Sequence, residues 1–271
     1  MRLSFSNIAW TEQSDVAALA TLRDEGYRAV EVAPTRLWSA PLERKKGEIE
    51  DVRTTFQRAG LRIVAMQSLL YQRPDLQLFG DATTRQALHD HLSAMARLGA
   101  ELGASRLVFG SPNNRRRGDL PMQEAMERAI EFFKPLGEQA AGLGVVFCIE
   151  ANPPEYGCDF LTSAAAATAL VRGADTPGVR LHLDTACMFL AGDEAAEQVR
   201  SGIDVLAHVH VSAPQLGAVG PSDTIDHSGM AAALRECGYE GHVSVEMRAQ
   251  PEQIPALSVS ASFVRSVYGG E

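Results

Sequence analysis

The second half of the chain contains four short, largely apolar stretches: VVFCIEAN (residues 145–152), VRLHLDTACM (179–188), AHVHVSAP (207–214) and HVSVEMR (242–248). Each is rich in valine and other residues that favour extended backbone. Apolar runs of this length, separated by segments with helical spacing, are typical of strands buried on both faces of a parallel sheet. These stretches therefore predict four parallel strands that alternate with helices.

The same alternation extends over the whole chain. We predict strands at residues 2–8, 29–32, 62–66, 106–109, 145–149, 179–183, 205–211 and 243–245, and helices at 15–25, 43–59, 84–102, 122–143, 163–172, 194–201, 230–236 and 252–267. Eight strand–helix units in 271 residues give roughly 34 residues each, which suits a (β/α)8 barrel. We predict an α/β fold, a single (β/α)8 TIM barrel domain over residues 1–271. A doubly wound open sheet is the alternative, but the chain has neither GxGxxG nor GxxxxGK[ST].

Composition narrows the function classes. The chain is 45% hydrophobic and 22% charged, which allows a large core and argues against disorder. Its formal net charge of −9 disfavours general nucleic-acid binding. The four cysteines show no CxxC pairing, and we expect reduced thiols. Neither a signal-peptide pattern at residues 1–10 nor a membrane-spanning apolar run is found, so we expect a cytoplasmic protein without a membrane partner.

Polar residues end the last four predicted strands, one residue per strand: Glu150, Asp184, His210 and Glu246. In a TIM barrel the C-terminal ends of the strands carry the chemistry. Taken singly, a carboxylate there often caps the next helix or pairs with an arginine, and a histidine is often a core residue. Three carboxylates buried together without a cation would be costly, however. We therefore predict that the four side chains bind a divalent metal ion.

The four residues, in this order, resemble the metal-binding pattern of the xylose isomerase-like barrels, specifically the sugar phosphate isomerase/epimerase group. The resemblance covers essentially the whole chain. It is carried also by the segments SNIAW (6–10), SLLYQRPDLQLFGD (68–81), VFGSPNNR (108–115), IEANPPEYGCDF (149–160) and GYEGHVSVEM (238–247). The ordered ligands indicate the superfamily and say little about the substrate.

The resemblance implies an isomerase or epimerase that uses one divalent ion, Mn²⁺ first, with Mg²⁺, Co²⁺ or Zn²⁺ as alternatives. The ion would hold a carbonyl oxygen and the adjacent hydroxyl of an open-chain sugar and stabilise the enediolate. Glu150 and Glu246 would then be the acid/base pair. Proton return to the opposite face gives epimerisation, and return to the neighbouring carbon gives isomerisation. The resemblance also makes a homodimer plausible.

Two positions depart from the family pattern. Several ketose 3-epimerases of this superfamily carry a histidine where this chain has Cys187, and an arginine where it has Leu216. Both residues help to hold substrate oxygens in those enzymes. We therefore expect that substrate recognition differs from that of a simple ketose 3-epimerase.

Other residues at the strand ends are expected to contact the substrate: Glu31, Gln67, Asn152, Cys187 and Arg115. Each has an ordinary alternative. Glu31 could form a salt bridge to Arg36 or another neighbour, and Gln67 and Asn152 could tie down loops. Arg115 could lie in a solvated basic loop (113–117) rather than bind a substrate phosphate or carboxylate. His182 and His208 lie two residues before predicted ligands and are expected to be core residues or to orient those ligands.

Two further functions stay open beside the sugar isomerase or epimerase. The same enediolate can expel a β-hydroxyl, as in the related inosose dehydratases, and a barrel of this kind can bind a sugar without catalysis. The superfamily's three-metal DNA-repair endonucleases need extra histidines, where this chain offers Gln67, Ser111 and Cys187. We expect a small sugar as the partner and no nucleic acid.

Overall fold

The barrel closes through eight parallel strands that pair in sequence order, with β1 hydrogen-bonded to β8. A computed structural model provides the coordinates and describes residues 1–270. The strands are β1 (Arg2–Ser6), β2 (Ala29–Val32), β3 (Arg62–Met66), β4 (Arg106–Phe109), β5 (Val146–Glu150), β6 (Val179–Asp184), β7 (Leu206–Ser212) and β8 (His242–Glu246). The predicted (β/α)8 TIM barrel is confirmed.

Ten α-helices lie among residues 1–270, two more than the sequence predicts. They are α1 (Asp15–Asp24), α2 (Pro34–Leu37), α3 (Lys46–Arg58), α4 (Ala82–Leu102), α5 (Met122–Gly142), α6 (Ala164–Ala174), α7 (Thr185–Ala191), α8 (Ala195–Gly202), α9 (His227–Glu236) and α10 (Gln253–Tyr268). The additional helices are the short α2 and α7. Helix α7 follows β6 without a loop because Asp184 caps it: its Oδ1 accepts the N–H of Cys187 at 2.7 Å. No helix among residues 1–270 has the length and apolar character needed to cross a membrane.

The inside of the barrel is polar, while the apolar core lies between the strands and the helices. Alternate residues of a strand face opposite sides of the sheet. On the inner side, the strand register pairs Ser4 with Ser244 and His182 with His208, and all four residues are buried. Outward-facing residues such as Val209 belong to the apolar core beneath the helices. The polar interior leads from the floor of the barrel to its C-terminal mouth.

Gly178, which directly precedes β6, allows α5 to pack against the start of that strand. A Cβ atom at Gly178 would lie 1.8 Å from the backbone oxygen of Gly137 in α5. We expect Gly178→Ala to lower the free energy of unfolding by about 1–3 kcal/mol, since neither backbone can yield cheaply. Gly142→Ala is the control, because nothing lies within 4 Å of its added Cβ. Denaturant unfolding should rank Gly178→Ala well below both wild type and the control.

Candidate active site

A cavity of about 370 Å³ opens at the C-terminal ends of the strands, where TIM barrels carry their active sites. Six residues singled out from the sequence line it: Gln67, Glu150, Asn152, Asp184, Cys187 and Glu246. The strand ends therefore bring the three predicted carboxylate ligands together. Chain segments almost 100 residues apart meet here because consecutive strands are neighbours in the closed sheet.

His210 lies at the base of these carboxylates, with its Nδ1 atom turned toward all three. Nδ1 is 3.4 Å from Glu246 Oε2, 3.9 Å from Glu150 Oε1 and 4.0 Å from Asp184 Oδ2. The atom is buried and has no hydrogen-bond partner. A buried polar atom without a partner is rare in folded proteins, and a bound water or ion can satisfy it.

The other ring nitrogen of His210 is held by Glu31, which is fully buried below the mouth. Glu31 Oε2 lies 2.9 Å from His210 Nε2 and 3.1 Å from His208 Nε2. Burial alone would raise the pKa of Glu31, but the two histidines hold it well below its usual value. Because an ionised carboxylate only accepts hydrogen bonds, both Nε2 atoms carry protons. Nδ1 is therefore the ring atom that faces the carboxylates, and in the neutral form of His210 it carries a free lone pair.

The sequence leaves two expectations for Glu31: contact with the substrate, or a salt bridge to Arg36 or another neighbour. In the structure Glu31 does not line the cavity and pairs with His208 and His210, while Arg36 donates to Asp15 at 3.1 Å. Glu31 orients His210, whose ring reaches the carboxylates at the mouth. Carboxylates commonly orient metal-binding histidines in this way.

Asn152 orients Glu150 from the side of the cavity. Its Nδ2 donates to Glu150 Oε2 at 3.0 Å, and its Oδ1 accepts from Arg115 Nη2 at 2.8 Å. Arg115 is fully buried and does not line the cavity, so neither of its two expected roles describes its position. Gly110 leaves room for the carboxylate, since a Cβ there would lie 1.8 Å from Glu150 Oε2. Arg115, Asn152 and Glu150 thus form a buried chain that ends at the cavity.

The carboxylates repel one another. Burial raises the pKa of Glu150, and the charges of Asp184 and Glu246 raise it further. Burial also raises the pKa of Glu246, against the attraction of His210. For His210, burial alone would lower the pKa, but Glu31 and Glu246 raise it well above its usual value. Without a cation the ring therefore carries a second proton on Nδ1, which a bound metal ion would replace. A cation between the carboxylates would remove their repulsion.

His182 joins this group from deeper in the barrel. Its Nε2 lies 3.5 Å from Glu150 Oε1, and both of its ring nitrogens are buried without a hydrogen-bond partner. Ligand atoms of Glu150, His182, Asp184 and His210 all lie within 4.8 Å of one another, a spacing that a metal ion can bridge. Burial and the neighbouring His210 and His208 lower the pKa of His182 well below its usual value, so its ring is neutral. Its position two residues before Asp184, on the same strand face, is the sequence signal for this contact.

The outer wall of the cavity is formed by neutral residues. Gln215 and Leu216 both have left-handed backbone, with φ of 60° and 54°. Two hydrogen bonds hold this turn: Gln215 N donates to the Tyr156 hydroxyl at 3.0 Å, and Arg248 N donates to the Leu216 carbonyl at 2.9 Å. Cys187 faces them, and burial, aided by Asp184 and Glu150, raises the pKa of its thiol well above the usual value. Hydroxyl, amide, thiol and alkyl groups therefore form this side of the cavity.

Comparison with solved structures finds the same fold in two sugar epimerases and in a zinc-binding protein. D-psicose 3-epimerase from Clostridium cellulolyticum H10, solved with D-tagatose, is 17% identical with a TM-score of 0.82, and 100% of each chain is covered. 3-keto-D-glucoside 4-epimerase YcjR from E. coli is 18% identical with a TM-score of 0.81, covering 98% of this chain and 99% of that one. The IOLI protein with a bound zinc atom is 18% identical with a TM-score of 0.78, covering 99% and 98%. Identities this low show the shared fold alone.

Sequence comparison carries the family assignment. No curated protein matches the chain. Residues 19–266 match the family described as xylose isomerase-like TIM barrel. The match includes Glu150, Asp184, His210 and Glu246, and it agrees with the resemblance seen in the sequence. The chain belongs to the xylose isomerase-like TIM barrel family.

Proposed function

We propose that the protein is a divalent-metal-dependent isomerase or epimerase of a sugar or sugar derivative. One observation carries the proposal: the unpartnered Nδ1 of His210 faces Glu150, Asp184 and Glu246 at 3.4–4.0 Å. The sugar epimerases that share this fold support the substrate class.

The donor set fits a divalent ion. Three carboxylates and one imidazole suit Mn²⁺, Mg²⁺ or Co²⁺, and Zn²⁺ also accepts such ligands. We place Mn²⁺ first. We assign Glu246 rather than His182 as the fourth ligand. Glu246 lies at the mouth, with a side chain 17% exposed, and it comes closest to His210 Nδ1, whereas the His182 side chain is fully buried.

Glu150 and Glu246 would carry the protons. When bound, the metal would polarise a substrate carbonyl and its neighbouring hydroxyl and so acidify the C–H bond between them. Both carboxyl groups line the cavity from different strands, β5 and β8, so they can approach a bound sugar from different directions. One glutamate removes the proton to give the enediolate, and the other returns a proton to the opposite face. Asn152 keeps Glu150 aimed into the cavity through its 3.0 Å hydrogen bond.

Three side chains are proposed to bind the substrate directly. Gln67 and Asn152 offer amide groups to hydroxyls, and Cys187 offers a small neutral contact next to Asp184. Arg115 and Glu31, by contrast, would affect the substrate only through Asn152 and His210.

Incubation in deuterated water with a panel of ketoses, 3-keto-glycosides and inososes tests the proposal. Solvent deuterium at a carbon of inverted configuration, or at the neighbouring carbon of an isomerised product, supports it. Net loss of water from an inosose would instead show a lyase. If no compound in the panel takes up solvent deuterium when Mn²⁺, Mg²⁺, Co²⁺ or Zn²⁺ is supplied, the proposal is contradicted.

Glu31→Gln is expected to weaken metal binding by about 10- to 100-fold, since partners of this kind set the orientation and basicity of a histidine ligand. The neutral amide keeps the size of the side chain but loses the charge that His210 and His208 share. Titration of the apoprotein with Mn²⁺, followed by calorimetry, gives the dissociation constants. Glu25→Gln serves as the control, because Glu25 pairs with Arg265 away from the cavity. Equal affinities for Glu31→Gln and wild type would show that Glu31 has no such role.

A further inference from the structure

The opposite end of the barrel carries a cluster of arginines. Four of them occupy the first or second position of a strand: Arg2 in β1, Arg62 in β3, Arg106 in β4 and Arg180 in β6. The strand register shows that they share the inner side of the barrel. Arg2 precedes Ser4 by two residues, and Arg180 precedes His182 by two. Arg106 pairs with Ala65, the partner of Glu31, and Arg62 pairs with Ala29, the partner of Ser4. We call these four residues the arginine floor.

No residue of the arginine floor forms an ion pair within the described part of the chain. Arg2 Nε donates to the Glu240 carbonyl at 3.1 Å, and Arg106 Nε reaches the Ala207 carbonyl on β7 at 3.2 Å. Arg180 donates to backbone carbonyls as well. Some arginines elsewhere on the surface have a carboxylate partner, such as Arg200 with Glu236 at 2.9 Å, and others do not, such as Arg53, which donates to the Glu101 carbonyl. The floor differs from these single residues because its four arginines are gathered at one end of the barrel. Four guanidinium groups thus remain without a counter-charge in a protein whose net charge is −9.

Two adjoining cavities open at this floor and share Arg2. One, of about 480 Å³, is lined by Arg2, Arg106 and Arg180, with Glu240 as the acidic residue on its wall. The other, of about 370 Å³, is lined by Arg2 and Arg62, together with Arg28 and Arg265. Arg265 pairs with Glu25 at 3.2 Å. Both cavities have the size of small-molecule sites.

His242 lies between the two cavities and the barrel interior. It pairs with Arg2 in the strand register and lines the smaller cavity. Burial lowers its pKa to about 4, with further contributions from His208, Arg2, Arg106 and Arg62. The imidazole is neutral at physiological pH and can donate or accept one hydrogen bond there.

We propose that the arginine floor is a binding site for a small anion with more than one phosphoryl group. Guanidinium groups bind phosphate oxygens in a bidentate manner, and several unpaired arginines on recessed walls match several phosphoryl groups. Two adjoining cavities joined at Arg2 suit an elongated anion. The acidic remainder of the protein surface repels a long polyanion, so we infer a small ligand rather than a nucleic acid. The site lies at the end of the barrel opposite to the proposed metal centre and is independent of the proposed function.

Calorimetric titration of the whole protein with tripolyphosphate tests the proposal. We expect saturable binding of one anion per chain, and a rise in Tm that sodium chloride of equal ionic strength does not produce. Arg62→Gln and Arg106→Gln should each weaken binding by about tenfold or more, the expected loss of a charge-assisted contact. Arg62 is exposed, and its backbone N–H donates to the Arg28 carbonyl at 3.0 Å, a bond that Arg62→Gln keeps, so we expect this variant to fold like wild type.

Two control variants complete the design. Arg200→Gln removes the same charge from a different face and should bind the anion like wild type. Asp184→Asn should also bind tripolyphosphate with wild-type affinity. This result distinguishes the arginine floor from binding through a metal ion held by the carboxylates at the mouth. Absence of saturable binding, or equal affinity in Arg62→Gln, Arg106→Gln and Arg200→Gln, would overturn the proposal. So would affinity that is lost in Asp184→Asn but kept in the two floor variants.

Discussion

Glu150→Gln is expected to lower kcat for proton exchange by about 100- to 10,000-fold, the range that a positioned general acid or base contributes. Glutamine keeps the shape of the side chain and can still bond to Asn152, but it cannot take up or release the proton. Deuterium incorporation from solvent, measured with the substrate found in the panel, gives the rate.

The matched control for this change is Glu155→Gln. Glu155 is exposed in the same segment after β5 and does not line the cavity. It should retain wild-type rates. A Glu150→Gln protein that exchanges as fast as Glu155→Gln would remove Glu150 from the proposed acid/base pair, whatever the metal content of the two proteins.

Asp184→Asn is expected to abolish tight metal binding and the stabilisation that comes with it. A ligand present at 1,000 times its dissociation constant stabilises the folded state by about 4 kcal/mol. Wild type should therefore gain a clear increase in Tm when excess Mn²⁺ is added, and Asp184→Asn should gain almost none. Asparagine retains an oxygen that can accept from Cys187 N, so the cap of α7 is preserved. Activity of Asp184→Asn should fall with its metal content.

Asp226→Asn is the control for this loss. Asp226 also caps a helix, since its Oδ1 accepts from Gly229 N at 2.9 Å, but it does not line the cavity. Its Mn²⁺-dependent increase in Tm should match that of wild type. If Asp184→Asn responds to Mn²⁺ as fully as Asp226→Asn does, Asp184 is not a metal ligand.

The fold could be predicted from the sequence because the residues of each strand and its flanking turns are enough to identify that strand. The bounds of β2, β3 and β4 agree with the predicted segments residue for residue, since turn residues and glycines delimit short apolar runs. The sequence pattern does not predict helix α7, and the reason again lies in a single residue. Asp184 serves both as a strand end and as a helix cap, and the sequence pattern shows only the first role.

The site could be predicted only in part. The residues that line the mouth could be predicted because they stand at the ends of strands, and strand ends can be located along the sequence. The partner of a buried charge does not follow from position: Glu31 and His210 are 179 residues apart and meet only when β2 and β7 face each other across the closed barrel. Arg115 belongs to a basic run, which predicts a position in solvent or at the substrate. It is instead buried and donates to Asn152, while the adjacent Arg116 is exposed.

The turn of Gln215 and Leu216 has a consequence for how this enzyme family diversifies. Each left-handed residue other than glycine costs roughly 1 kcal/mol or more, so the turn depends on the bonds from Tyr156 and Arg248 that hold it. A substitution at Tyr156 would release the turn and reshape one wall of the cavity while the carboxylates and His210 stay in place. Under the proposed function, single changes in a supporting residue could therefore alter which sugar fits the cavity while the metal ligands and the acid/base pair are kept.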